Sequence, residues 1–244
     1  MKTEEIGFGG LKLIQDDEGF KYGIDAVILA DFAFSIFPGA ERIVDLGTGN
    51  GIIPLILSHK NRKALLTGVE IQESAVKSAV ESVRINGLEG RIEIIRADVN
   101  EAGSRLPGHE ADAVTCNPPY VARGGGMAGS LSGKYIARHE TTAELTDFVK
   151  AAAWALKDRG HFFMVHRPSR LVDVFCACRK EGLEPKDIRL VCPRRGEAPN
   201  IALIHCVAGG GRELRFMKEL AVYDNKGKYT DEIERIYERE SSIL

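Results

Sequence analysis

The chain has few of the features that would settle a function class from composition. Its five cysteines, Cys116, Cys176, Cys178, Cys192 and Cys206, are odd in number and contain no Cys-x-x-Cys pair. That spacing suggests neither a zinc knuckle nor a disulfide framework, and four of the five sit in apolar strand-like or helix-like runs. A reducing cytoplasm fits best. Long apolar runs are also lacking. The longest, Ala26 to Phe37, is broken by Asp31 and is too short to span a bilayer. The opening Met1-Lys2-Thr3-Glu4-Glu5 has no basic-then-apolar signal pattern. No sequence repeat and no long linker is present, so 244 residues read as one α/β unit with a substantial core. Within it, an N-terminal segment with a helix (1–40) precedes a core (41–207) and a charged appendage (208–244). Net charge is only −2, which by itself does not announce a polyanion partner.

Proline is sparse, yet two of the nine prolines are adjacent in Asn117-Pro118-Pro119-Tyr120. This tetrapeptide follows the apolar run Ala111 to Cys116, which reads as a buried strand. A rigid turn with one amide, two prolines and one aromatic suits the holding of a flat, amino-bearing group. Asn117 offers a carbonyl acceptor, the prolines fix φ and remove N–H donors, and Tyr120 offers a ring face. The competing reading is a Pro-Pro turn that merely closes a strand. What precedes it in the chain decides between the two.

Ile43-Val44-Asp45-Leu46 is a short strand, and Gly47-Thr48-Gly49-Asn50-Gly51 follows at once. Ile52, Ile53, Leu55, Ile56 and Leu57 then start an apolar helix that tolerates Pro54 in its first turn. Strand, glycine turn and helix form the setting of a nucleotide-binding loop. A second strand, Leu65 to Val69, ends at Glu70 with Ile71 beside it, about 20 residues past the loop, where a carboxylate can accept from ribose hydroxyls. The third glycine of a dinucleotide fingerprint would fall at Ile52, which disfavours a nicotinamide cofactor. An acid, Asp45, stands just before the loop. A third strand, Arg91 to Ala97, ends at Asp98; aspartate is also an ordinary turn residue there.

Elsewhere, Gly23 to Phe37 has helical spacing and is expected to pack across the sheet edge. Residues 73–86 form a helix stopped by Asn86-Gly87. Residues 121–140 hold five glycines, two of them Gly124 and Gly125, with Arg123, Lys134 and Arg138. A basic loop of that length directly after the turn is expected to serve function or to be disordered. Thr141 and Glu144 have the spacing of a capping box for a helix over Thr142 to Lys157. Strand five is His161 to Val165, and Pro168 starts a helix to about Glu181. Strands Ile188 to Cys192 and Ile201 to Val207 lack a helix between them, which implies an antiparallel pair. Charge is uneven. Residues 1–50 carry four Lys/Arg against nine Asp/Glu, whereas residues 157–195 carry ten against five. The excess hints at a polyanion-facing side.

These pieces resemble the class I S-adenosylmethionine-dependent methyltransferases, from about Gly19 to Val207. The run Asp45-x-Gly47-x-Gly49-x-Gly51 resembles their first motif, and the Asn-Pro-Pro-Tyr turn looks like the fourth motif of the amino-methylating branch. Lys21 to Ala26, Ala137 to Glu140, Val165 to Pro168 and Glu197 to Asn200 look like the bacterial tRNA(Val) adenine-37 N6-methyltransferase family. The resemblance implies a Rossmann-like, seven-stranded, mostly parallel sheet with an antiparallel late strand. It implies S-adenosylmethionine held by Tyr22, Asp25, Asp45, Gly47, Thr48, Gly49, Asn50, Gly51, Glu70, Ile71, Asp98 and Asn117. Asn117, Pro118, Pro119 and Tyr120 would position an adenine N6 in RNA, most readily tRNA, with no metal. Arg123, Lys134, Arg138, His166, Arg167, Arg194 and Arg195 would face the RNA. His139 and His166 could instead simply satisfy backbone groups.

Rivals are a protein-glutamine methyltransferase, an rRNA guanine-N2 methyltransferase and, from another class, a non-catalytic RNA- or cofactor-binding module. The first usually has an N-terminal helical substrate domain, and only some 40 residues precede the first core strand here. The second more often has Phe where Tyr120 stands. The third is disfavoured by the intact Asn117, Tyr120, Glu70 and glycine loop.

Overall fold

The computed structural model describes residues 2–15, 23–119 and 143–238. A small hairpin, β1 (Lys2–Gly7) and β2 (Leu11–Gln15), comes first. Helix α1 (Ile24–Ile36) leads to β3 (Arg42–Leu46), α2 (Ile52–Lys60), β4 (Leu65–Glu70), α3 (Glu73–Ile85) and β5 (Ile92–Arg96). A short α4 (Ala102–Arg105) precedes β6 (Ala111–Cys116). Then come α5 (Leu145–Ala155), β7 (Leu156–His166), α6 (Leu171–Lys180), β8 (Leu183–Arg194) and β9 (Ile201–Ala208). The tail adds β10 (Arg215–Phe216), β11 (Leu220–Tyr223) and α7 (Asp231–Ile236).

The main sheet runs β10-β8-β9-β7-β6-β3-β4-β5, with β11 also paired to β8. The seven strands read from the sequence are β3 to β9. Of these, β9 is antiparallel to both β7 and β8, and the other pairings among them are parallel. The central strands are apolar throughout because helices cover both faces; Phe162, Phe163, Met164 and Val165 of β7 are fully buried. One core layer joins α1 and α2 to the sheet, and the other joins α5 and α6 to it.

Three sequence expectations are corrected. Helix α1 does not cross the sheet edge. It lies over the middle strands β6, β7 and β9, with Phe32 packed edge-on against Phe163. Seven of its residues are buried, and so apolar a helix has to be sandwiched, here against α2 and the sheet. The second correction concerns α5. Glu144 caps it, with Asp147 completing a reciprocal box, and the Asp147 carboxylate accepts from Glu144 N at 2.7 Å; Thr141 lies outside the described residues. The third is the start of the helix after β7. Pro168–Arg170 is a 3-10 turn, and α6 begins at Leu171.

The hairpin and the tail are additions to the expected core. Asn86, at the end of α3, bonds both the N–H and the carbonyl of Lys12 (3.0 and 2.6 Å), and the Ser82 hydroxyl accepts from Ile14 N. Leu220, Val222, Ile233, Ile236 and Tyr237 of the tail are buried and join the α1 core layer.

Candidate active site

The parallel strands β3, β4, β5, β6 and β7 all end at one edge of the sheet. There they place Asp98, Glu70, Gly47 to Gly51, Asn117 and His166 in the order β5-β4-β3-β6-β7. The chain reverses direction across the sheet between β3 and β6, where open α/β sheets bind ligands.

The glycine loop is pinned from the neighbouring strand. Gly47 N and Thr48 N both donate to Val69 O at 2.9 Å. Gly49 N donates to Glu70 Oε2 at 2.9 Å, while Glu70 Oε1 accepts from Ile71 N and Gln72 N, also at 2.9 Å. Glu70 thus holds the loop and the start of α3 from a buried position. Oε2, with a single bond, keeps a lone pair with which to meet a hydroxyl. Gly51 caps α2 in the left-handed region, φ 84°, which favours glycine. Gly47 is also left-handed, φ 71°, and a Cβ there would come within 3.2 Å of the Phe148 ring.

Asp45, at the end of β3, is strongly perturbed by its surroundings. It is 2 % exposed, and its Oδ1 accepts from the Thr115 hydroxyl at 2.7 Å. Burial pushes its pKa up to about 7. The Thr115 bond opposes that rise, Thr48 opposes it less from outside hydrogen-bonding geometry, and the nearby Glu70 charge adds to it. Asp45 Oδ2, Thr48 Oγ1 and Asn50 Nδ2 are buried without hydrogen-bond partners among the described residues. Orphaned buried polar atoms are rare in a folded chain and call for a ligand or water. Two acceptor-capable oxygens and one amide donor beside a glycine loop fit the ammonium and carboxylate of an amino-acid-bearing nucleoside.

Asn117 leaves β6 half-buried, Pro118 is buried and Pro119 is exposed. Cys116 is paired in register with Leu46, so Asn117 emerges directly beside Gly47. Asp98 is half-buried and its Oδ1 accepts from Asn100 N at 2.9 Å, capping a short turn. Gly23 caps α1, and Asp25 sits in the helix's first turn without serving as its cap. Tyr22, Tyr120, Arg123, Lys134, Arg138 and His139 lie outside the described residues. Arg167 follows β7 at this edge and is exposed; Arg194 is exposed and paired with Glu197 (3.2 Å), and Arg195 is exposed.

His166 is corrected as a phosphate contact. It is 4 % exposed, its Nδ1 accepts from Arg167 N at 2.9 Å, and burial foremost, with the Arg170 charge, lowers its pKa. It is a neutral, buried ring. Two residues went unweighed in the sequence. Thr115 orients Asp45. Gly68, inside β4, leaves room for the loop: a Cβ there would lie 2.9 Å from Ile94 Cδ1 and Thr48 Cγ2. A glycine inside a strand was the available signal for the second, since it marks a close approach; Thr115 had none beyond its place before Asn117. A cavity of about 720 Å³ at the opposite edge, beside Arg42, Leu65 and Ile92, is not lined by the glycine loop, Glu70, Asp98, Asn117 or His166.

The sequence profile of the methyltransferase small domain family matches residues 29–170, more than half of the chain. The chain belongs to this family. It is a methyltransferase, and S-adenosylmethionine is the methyl donor. It is similar to the tRNA1(Val) (adenine(37)-N6)-methyltransferase of Tolumonas auensis, 28 % identical over 205 residues, or 84 % of this chain and 83 % of that one. The enzyme of the same name from Bacteroides thetaiotaomicron is 32 % identical, over 62 % and 61 % of the two chains. Among solved structures, a predicted O-methyltransferase from Agrobacterium tumefaciens superposes with a TM-score of 0.72 at 22 % identity, covering 89 % of this chain and 97 % of that one. TrmN from Thermus thermophilus gives 0.53 at 18 %, covering 75 % and 48 %. These likenesses establish the class I methyltransferase fold. Among the described residues, no helix is long and apolar enough to cross a membrane.

Proposed function

We propose that the protein methylates the exocyclic N6 of an adenine in tRNA, in the cytoplasm. The observation that carries this reading is the Asn117-Pro118-Pro119 turn, set beside the glycine loop at the shared edge of β3 and β6. The activity for which the relatives are named points the same way. Asp45, Thr48 and Asn50 hold the amino-acid end of the cofactor, and Glu70 the ribose, with Ile71 and Asp98 nearest the base. When bound, S-adenosylmethionine supplies an electrophilic methyl group.

An arylamine lone pair is delocalised into its ring and attacks poorly unless it is aligned. Asn117 Oδ1 and the Pro118 carbonyl accept from the amine, turn its lone pair toward the cofactor, and stabilise the positive charge that develops on nitrogen. Pro118 and Pro119 contribute no N–H donors that would compete for the acceptors. Tyr120 stacks on the base, which must first leave its own stack at a cost of about a few kcal/mol.

The test is incubation of unmodified tRNA transcripts with enzyme and labelled cofactor, followed by mass spectrometry of nucleosides. N6-methyladenosine is expected. Label in N2-methylguanosine, or only in protein glutamine, would overturn the adenine assignment while leaving fold and cofactor in place.

A further inference from the structure

Four aromatic rings form a ladder from the core to the surface of the tail. Phe8, from the hairpin turn, is 2 % exposed and stacks on Tyr237, with centroids 6.2 Å apart. Tyr237, 6 % exposed, stacks on Tyr229 at 5.7 Å, and Tyr229 on Tyr223 at 5.4 Å, with interplanar angles of 14° and 17°. The last ring, Tyr223, is 38 % exposed. A stack anchored in the core at one end presents its outermost ring rigidly. A tyrosine that only filled space would gain more by being covered.

The position of this ring is set by the sheet. Strand β11 runs parallel to β8, with Tyr223 opposite Arg194. Both strands therefore end at the edge where Asn117 stands. From β6 the order is β7, β9, β8, β11, so four strand spacings separate the two sites, of the order of 20 Å. The tip around Tyr223 carries Arg195, Lys226 and Lys228. Its acids are engaged locally: Glu197 pairs with Arg194, and Asp224 Oδ1 accepts from Lys226 N and Lys228 N at 2.8 and 2.9 Å. A cavity of about 440 Å³ adjoins the ladder, and Arg195, Lys218, Asp224, Tyr229, Glu232 and Arg235 are among the residues that line it.

We infer that the tail is a docking foot for the RNA substrate, on which an unpaired nucleobase stacks against Tyr223 while Arg195, Lys226 and Lys228 meet the adjoining phosphates. This rests on the RNA reading above. A ring face with cations beside it accepts any base and tracks the backbone. The foot therefore contributes affinity and orientation at a distance from the chemistry, not base identity.

The test compares Tyr223→Ala, Tyr223→Phe and Lys226→Gln/Lys228→Gln with wild type, using the full chain and unmodified tRNA transcript. Tyr223→Ala should raise KM for tRNA about 5- to 100-fold, with kcat at saturating tRNA and cofactor affinity unchanged. Tyr223→Phe keeps the ring face and should restore KM. The double lysine variant should lower the slope of log affinity against log salt. Unchanged KM in Tyr223→Ala would overturn the foot while leaving the tRNA activity established. Equal impairment of Tyr223→Ala and Tyr223→Phe would overturn it too, because the ring face would then not be what the RNA meets. If wild type neither binds nor methylates tRNA, both this inference and the functional reading fall.

Discussion

Asp45 is held against its own preference. The folded chain binds its proton more tightly than the unfolded chain does, so stability falls as pH rises from 3.8 to about 7. Asp45→Asn keeps an oxygen for the Thr115 hydroxyl and removes the buried charge. At pH 8 it should stabilise the free protein by about 1–2 kcal/mol, with little gain at pH 4, as read by urea unfolding at the two pH values. Equal gains at both would show that the ionised carboxylate is not the source of strain. An ammonium beside Asp45 favours the charged form, so cofactor binding should weaken as pH falls below about 7 and release a proton there. Calorimetry in buffers of different ionisation enthalpy reads that proton directly. Asn117 is proposed to act on the other partner. Asn117→Ala should lower turnover about 100-fold or more with cofactor affinity kept, because the lost contact matters most in the transition state. Full activity in that variant would remove Asn117 from the mechanism.

At the scale of elements, the loop exists because β4 yields space to it. Gly68→Ala would drive a methyl group into Thr48 and Ile94, both at 2.9 Å, and one of these neighbours is the loop itself. The variant should lose about 1–3 kcal/mol of stability and bind the cofactor more weakly. If thermal unfolding is lowered but calorimetry shows unaltered affinity, the neighbours have yielded away from the loop. The core elements were legible in the sequence because apolar periodicity and glycine or proline stops coincide, as in β3, the Gly47–Gly51 turn and α2. The exceptions have physical causes. Helix α1 has apolar residues on every side, so periodicity indicated a helix but not the face it covers, and its place over β7 emerged only with the sheet. Strand β8 starts at Leu183, before Pro185 and Lys186, residues that ordinarily end a strand; edge position and the irregular register near Pro185 accommodate them. The expected carboxylate at Glu70 stands where the spacing put it. Its hold on Gly49 N could not be read from spacing, because a strand end says nothing of which amides face it.

For the whole molecule, the hairpin and tail escaped sequence reading because their partners are remote: Lys12 meets Asn86, and Phe8 meets Tyr237. The tail is also tied to the sheet by a polar chain that runs from the exposed Arg215 to the buried Asp187 and His205. Arg215 of β10 forks onto Asp187 of β8 (2.8 and 3.1 Å), Asp187 accepts from His205 Nδ1 of β9 (2.7 Å), and His205 Nε2 faces His161 Nδ1 of β7 at 2.9 Å. With both rings neutral, His205 donates to Asp187 and His161 donates to His205. Burial foremost lowers the pKa of both rings, that of His161 to about 4. Between 6.5 and about 4 the unfolded chain binds protons that the folded chain refuses, so this chain of bonds makes stability fall as pH falls through that window. His161→Phe keeps a ring to stack on Phe37, whose centroid lies 4.1 Å away, but removes the titration and the donor. At pH 7.5 it should cost about 1 kcal/mol for the lost hydrogen bond. At pH 5 the difference from wild type should shrink or reverse, because wild type alone then carries the penalty of a histidine held neutral. Urea midpoints at the two pH values decide it, and a difference that does not change with pH would mean that His161 has no part in the acid response.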